Sequence, residues 1–219
     1  MFRGYQARPP LIAVTAAAAV ALLIISGLVG LVLAPPDPAP PPPDQRALDA
    51  LPVVPPAPLA GYTPDAFGHG WTPRPDVGDG CTTREAVLLL AAPDATQDEH
   101  CAPHGTWTTS AGTTSNPTDV DVDHVVSLPN AWVSGANRWS PQHRAEFAND
   151  LTGPGHPELA PEPRELVAAH QATAGPWTPP ALSARCAYAR TVIAVKTKYR
   201  LAVSGGEKQQ LTSMLHHYC

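Results

Sequence analysis

The sequence predicts an α+β domain, rich in helix and carrying a small β-hairpin, preceded by one transmembrane helix and a proline-rich linker. Three observations lead there. Residues 11–34 carry no charge, prolines crowd between Pro35 and Pro58, and a strand-like alternation over residues 120–128 stands among several helical segments. Strands are too few for a parallel sheet, so helices must cover the hairpin.

At about 1.5 Å per residue, the uncharged run makes a helix of roughly 36 Å, enough to cross a hydrocarbon core of about 30 Å. Arg3 and Arg8 precede it and no basic residue follows until Arg46. The positive-inside bias therefore puts residues 1–10 in the cytoplasm and everything after residue 34 outside, as a single-pass protein of the cell membrane. A cleaved signal peptide has a shorter apolar region, roughly 7 to 15 residues, and Pro35 directly follows the small-residue site at Ala34. An uncleaved anchor is favoured; secretion after cleavage is the alternative.

The chain has 28 prolines in 219 residues. Residues 35–60 read as a semi-rigid stalk without a core, extending up to roughly 70 Å in polyproline II geometry. A docking ligand for proline-binding modules is the competing use. The folded domain is then expected over residues 61–219.

All four cysteines, Cys81, Cys101, Cys186 and Cys219, lie beyond the anchor, as disulfide bonding outside the cell requires. Three pairings are open; proximity in sequence favours Cys81 with Cys101 and Cys186 with Cys219. Zinc is the rival use, but no Cys-x-x-Cys pair is present.

Along the domain, a short helix is expected over residues 83–91, after the Gly78-Asp79-Gly80 turn, and a strand over 120–128. Ser140 followed by Pro141 starts a helix over 141–148. Further helices are expected over 163–171, over 182–199 with Leu182, Cys186, Ala189, Ile193 and Tyr199 near one side, and over 207–217.

The formal net charge of -5 gives no chain-wide basic field for a nucleic acid. Locally the balance reverses: Arg185, Arg190, Lys196, Lys198, Arg200 and Lys208 stand against Glu207 alone. This run either holds a phosphate backbone or is a solvated helix face.

The sharpest local signal is Asp121-Val122-Asp123-His124-Val125-Val126, an acid beside a histidine in an apolar run where neither is easily buried alone. By itself the pair suits a satisfied structural histidine as well as a catalytic one. Around it stand Gly78-Asp79-Gly80-Cys81, Thr83-Arg84-Glu85, Ser134-Gly135-Ala136, Phe147-Ala148-Asn149-Asp150, Trp177-Thr178-Pro179-Pro180, Cys186-Ala187-Tyr188-Ala189 and Val195-Lys196. With these blocks in order, residues 62–219 resemble the secreted HNH endonuclease-like proteins of actinomycete type, related to the C-terminal domain of GmrSD-type restriction enzymes.

The resemblance implies a small ββα-metal core in which Asp123 holds a divalent cation, His124 is the general base and Asn149 braces the loop. Hydrolysis of a phosphodiester needs a deprotonated water and neutralised phosphoryl charge, which a near-neutral histidine and a hard cation supply. Mg²⁺ or Mn²⁺ is the expected ion, with Zn²⁺ as a further choice, and the expected partner is nucleic acid, DNA before RNA. Nothing in the sequence points to a protein partner.

One departure stands out. Where such proteins carry Asn-x-x-Lys-Gly, this chain reads Arg164-Glu165-Leu166-Val167-Ala168-Ala169-His170-Gln171. His170 is the expected replacement ligand, with His156 on a loop as a weaker one; an imidazole shifts the preference toward softer ions. Failing both, the chain is a degenerate member that binds nucleic acid or cell envelope without cutting. Arg84 suits phosphate by its guanidinium fork, or an ion pair on its own short helix. Lys196 and Lys198 are the other expected phosphate contacts. Trp132, Trp139 and Trp177 are expected in the core rather than as base platforms.

Overall fold

The computed structural model describes residues 40–152 and 159–219. The expected cytoplasmic segment 1–10 and expected anchor 11–34, together with residues 35–39 and His156, lie outside the described residues. Among the described residues no helix is long and apolar enough to cross a membrane. The compact unit spans Pro41–Cys219.

The first helix corrects the linker. Helix α1, Pro43–Ala50, begins with proline in its first turn, where a missing N–H costs nothing, and carries Asp44 near its positive end. It buries Leu48 completely and is followed by the buried Leu51, both in the main core. Asp44 meets Arg190 at 2.8 Å and Asp49 meets Lys208 at 3.0 Å. Beyond it, Val54 N–H donates to the Val203 carbonyl at 3.0 Å, Val203 N–H to Pro52 at 2.9 Å and Ala57 N–H to Val133 at 2.8 Å. The stretch read as a coreless stalk over residues 35–60 is thus part of the folded unit from Pro43 onward. Proline content hid two well-placed leucines. Leu48→Ala is expected to lower stability by about 2 to 3 kcal/mol, as a buried leucine at the edge of a core should; denaturant titration checks it.

Helix α2, Thr83–Ala91, starts on a reciprocal cap between Thr82 and Glu85 and buries Ala86, Val87 and Leu88. Two small antiparallel pairs follow, β1 (Thr96–Gln97) with β2 (Pro103–His104) and β3 (Trp107–Thr109) with β4 (Gly112–Thr114). Strands of two or three residues leave no alternation to read, and neither pair is predicted. The Cys81–Cys101 disulfide ties the start of α2 to this region.

Strand β5, Val120–His124, pairs antiparallel with β6, Leu159–Pro163. The expected hairpin is therefore a ribbon with helices inserted between its strands: α3 (Leu128–Val133) and α4 (Pro141–Ala148), each started by a serine cap, Ser127 and Ser140. Helix α5, Arg164–Gln171, leaves β6 directly and packs on both strands. Its expected first residue, Pro163, instead closes β6. Helices α6 (Arg185–Lys198) and α7 (Gly205–Tyr218) complete the chain, joined by Cys186–Cys219. Both disulfides follow the expected local pairing. The class is the expected mixture of helices and small sheets.

Pairing register divides the ribbon's faces, because directly opposed residues point the same way. Asp121 opposes Glu162 and Asp123 opposes Ala160; on the other face Val120 opposes Pro163, Val122 opposes Pro161 and His124 opposes Leu159. Val120, Val122 and Leu159 pack with Val87, Leu88, Ala92 and Trp107 in a second core.

Candidate active site

Asp123 and His170 meet although 47 residues apart: His170 Nδ1 lies 2.7 Å from Asp123 Oδ2. An ionised carboxylate only accepts, so Nδ1 carries the proton. The neighbouring side chain on α5, Gln171, donates Nε2–H to Asp123 Oδ1 at 2.5 Å. Both members of the pair are buried, at 7% and 3% exposure. The His170 ring lies on Trp177, centroids 5.0 Å apart, with Tyr188 edge-on at 6.1 Å. A cavity of about 50 Å³ adjoins them, lined also by Ser110, Glu162 and Pro179. Burial pushes the Tyr188 phenol well above its ordinary range and raises the Glu162 carboxyl, whose Oε2 accepts from Ser110 N–H at 3.1 Å.

His124, on the opposite face, adjoins a different cavity. Its Nε2 is 2.9 Å from the Ala148 carbonyl, which only accepts, leaving Nδ1 as the basic nitrogen. The ring lies parallel to Trp71, with centroids 5.2 Å apart, and to Phe147 at 6.4 Å. Burial pushes its pKa down, against the opposing pull of the Ala148 hydrogen bond and the Asp123 charge. A histidine with a lowered folded-state pKa favours the fold while neutral, so its contribution is present above the unfolded value of about 6.5 and lost as pH falls through and below it. Thermal melts should therefore weaken from about pH 6.5 downward, and His124→Gln should flatten that limb.

Asn149, expected as a brace, hydrogen-bonds two segments of the chain. Its Oδ1 accepts from Thr72 N–H at 2.8 Å and its Nδ2 donates to the Ala145 carbonyl at 3.1 Å, tying the Trp71–Thr72 segment to α4. Trp71 and Gln171 are the residues that sequence reasoning misses. Gln171 had a signal, since it adjoins His170; Trp71 lies in an irregular Pro- and Gly-rich stretch and had none.

The expected phosphate contacts need correction. Lys196 is completely buried: Nζ donates to Glu207 Oε2 at 2.7 Å, Ser134 Oγ at 2.9 Å and the Ala202 carbonyl at 3.0 Å. It cannot touch a nucleic acid, because burial has spent all three of its donors inside. Arg84 lies against Glu85 at 3.2 Å and Asp121 at 3.1 Å and also donates to the Val120 carbonyl, so its fork holds α2 to β5. Lys198 Nζ sits 2.5 Å from Asp150 and lies over the Tyr199 ring. Trp132 packs in the main core as expected, with Trp139 half-buried against it; Trp177 instead covers His170.

Asp123 and His170 suit a hard or borderline cation by donor type, one carboxylate oxygen and one imidazole nitrogen. A cation held by both would have to take the place of the proton that now joins Nδ1 to Oδ2. Among the described residues no group of three or more His, Cys, Asp or Glu side chains is arranged to hold a metal ion. The described residues thus offer two side chains of suitable donor type and no third arranged beside them.

No family model matches the chain, and no solved structure does. It is 40% identical over 193 residues to an uncharacterized secreted protein of Arthroderma benhamiae, covering 83% of this chain and 88% of that protein. The relative's secretion and the two disulfides here agree with an exported folded domain. The chain belongs to the family of that secreted protein.

Proposed function

We propose that the folded unit is an HNH-type, metal-dependent hydrolase of phosphodiester bonds in nucleic acid, acting outside the cell membrane on an anchor formed by residues 11–34. The observation that carries this reading is the 2.7 Å pairing of Asp123, from β5, with His170, from the helix that leaves β6. The reading is supported by the packing of α5 on both strands, which brings its His170 to Asp123 of β5. Asp123 and His170 would hold the cation, Mg²⁺ or Mn²⁺ or, given the imidazole, Zn²⁺. When bound, that ion would neutralise phosphoryl charge and favour a hydroxide nucleophile. In this reading His124, whose pKa burial lowers, is the proton acceptor through Nδ1; it lies on the face of β5 opposite Asp123, so it acts from its own cavity and not directly beside the cation. Asn149 holds Trp71 against the base through Thr72, and Gln171 fixes the Asp123 carboxylate.

Incubation of the purified protein with plasmid and Mg²⁺ or Mn²⁺ tests the proposal. Cleavage should fall by at least about 100-fold in His124→Ala, the usual worth of a positioned base. Cleavage unchanged in that variant, or none with any of the ions, removes the reading. A second reading, a scaffold that binds without cutting, is favoured by one observation: both oxygens of Asp123 are already occupied by His170 and Gln171. Calorimetric titration separates the two, since a hydrolase binds one ion in a manner lost in Asp123→Ala and His170→Ala.

A further inference from the structure

We propose that the cavity beside His124 is a nucleobase pocket, so that the substrate is single-stranded nucleic acid whose unstacked base enters it; this rests on the reading of His124 as the base. The cavity measures about 260 Å³ and is walled by Phe67, Trp71, His124 and Leu128, with Pro64 and Asp65 at its side. That volume is just below the roughly 300 Å³ at which drug-sized ligand sites begin, which suits a single flat ring system with part of its sugar. Three of the walls are aromatic; the His124 ring is already stacked on Trp71 and Phe147, so an entering base would stack on Trp71 and be oriented by the Asp65 carboxylate. Gly70 also lines the cavity, at φ +86, and a Cβ there would meet nothing within 4 Å.

Charge gives the independent argument. Duplex binding draws its affinity from cations set against phosphates. Here Arg74 faces Asp76, Arg84 faces Asp121, Arg190 faces Asp44, Lys196 faces Glu207, Lys198 faces Asp150 and Lys208 faces Asp49. With these six of the twelve cations among the described residues matched to carboxylates, and a net charge of -5 on the chain, phosphate contacts are expected to supply the smaller share of the affinity and the bases the larger. Bases offer their faces only when unstacked.

The test uses the full chain in detergent and adenosine 5′-monophosphate as probe, with EDTA present so that no cation takes part. Calorimetry or saturation-transfer NMR should detect binding that inorganic phosphate does not displace. Trp71→Ala should weaken it about tenfold or more, the worth of one base stack, while Trp71→Phe retains most of it. Should Trp71→Ala melt early, Leu128→Phe narrows the same cavity and should also abolish binding. In the cleavage arm a single-stranded oligonucleotide should be cut faster than its duplex. No binding, displacement by phosphate alone, or faster cutting of duplex overturns the pocket. Binding without cleavage of any nucleic acid leaves the pocket standing and removes the proposed activity; His124-dependent cleavage without binding does the reverse.

Discussion

Lys196→Ala is expected to destabilise the folded unit by about 4 kcal/mol, because it strands a buried carboxylate. Lys196 is fully buried and Glu207 nearly so, and they meet at 2.7 Å. Glu207 Oε1 also accepts from Asn130 Nδ2 at 3.2 Å, and Ser134 Oγ donates to Asn130 Oδ1 at 3.2 Å, which closes a ring of four side chains. Burial pulls the Lys196 pKa down while Glu207 pulls it back up. Removing the ammonium takes away that compensation and leaves a charge in low dielectric. For a unit of this size the melting temperature should drop by roughly 10 °C. Lys196→Met combined with Glu207→Gln removes both charges and should recover most of the loss, as replacement of a whole buried pair often does. A Lys196→Ala variant melting within about 2 °C of the parent would show that the ring contributes little.

Reduction of both disulfides is expected to cost still more, about 7 kcal/mol on chain-entropy grounds. Cys81–Cys101 closes a separation of 20 residues and Cys186–Cys219 one of 33. The longer loop should contribute slightly more, about 4 against about 3 kcal/mol. Since domains of this kind are stable by only about 5 to 15 kcal/mol, the reduced protein should be largely unfolded or close to it at 37 °C. Circular dichroism with and without a reductant measures this. The double variants Cys186→Ser with Cys219→Ser, and Cys81→Ser with Cys101→Ser, apportion it. A reduced form with an unchanged melting curve would contradict the estimate.

Much of the helical framework was legible because its signals are local. Ser140-Pro141 marks α4, the Gly78-Asp79-Gly80 turn precedes α2, and proximity was enough to pair the cysteines. What failed depended on long-range partners. Pro43 to Ala50 looks like more of a proline-rich tether until Leu48 and Leu51 find α6 and α7. Lys196 looks like part of a basic run, although Ala189, Val192, Ile193 and Val195 around it form the buried side of α6. Its place on that apolar stripe was the available sign that it is not a surface cation. At the candidate site, Asp123 and His170, both named from the sequence as metal ligands, lie in hydrogen-bond contact. The separation of His124 onto the other face comes from the alternation of β5 itself: adjacent residues on a strand cannot share a side.

The seating of α1 also has a mechanical consequence. Tension entering the folded unit from its N-terminal side meets α1 first, then the hydrogen bonds that join Pro52 and Val54 to Val203. Those bonds belong to a parallel bridge between Val53 and Val203, so a pull along the strand direction loads them together in shear, whereas α1 ahead of them can peel turn by turn. The C-terminal helices on the far side of the bridge are closed into a covalent loop by Cys186 and Cys219 and cannot be drawn out beyond that link. Under load from that side α1 is therefore expected to yield before the Val53–Val203 bridge, as a short extensible coupling.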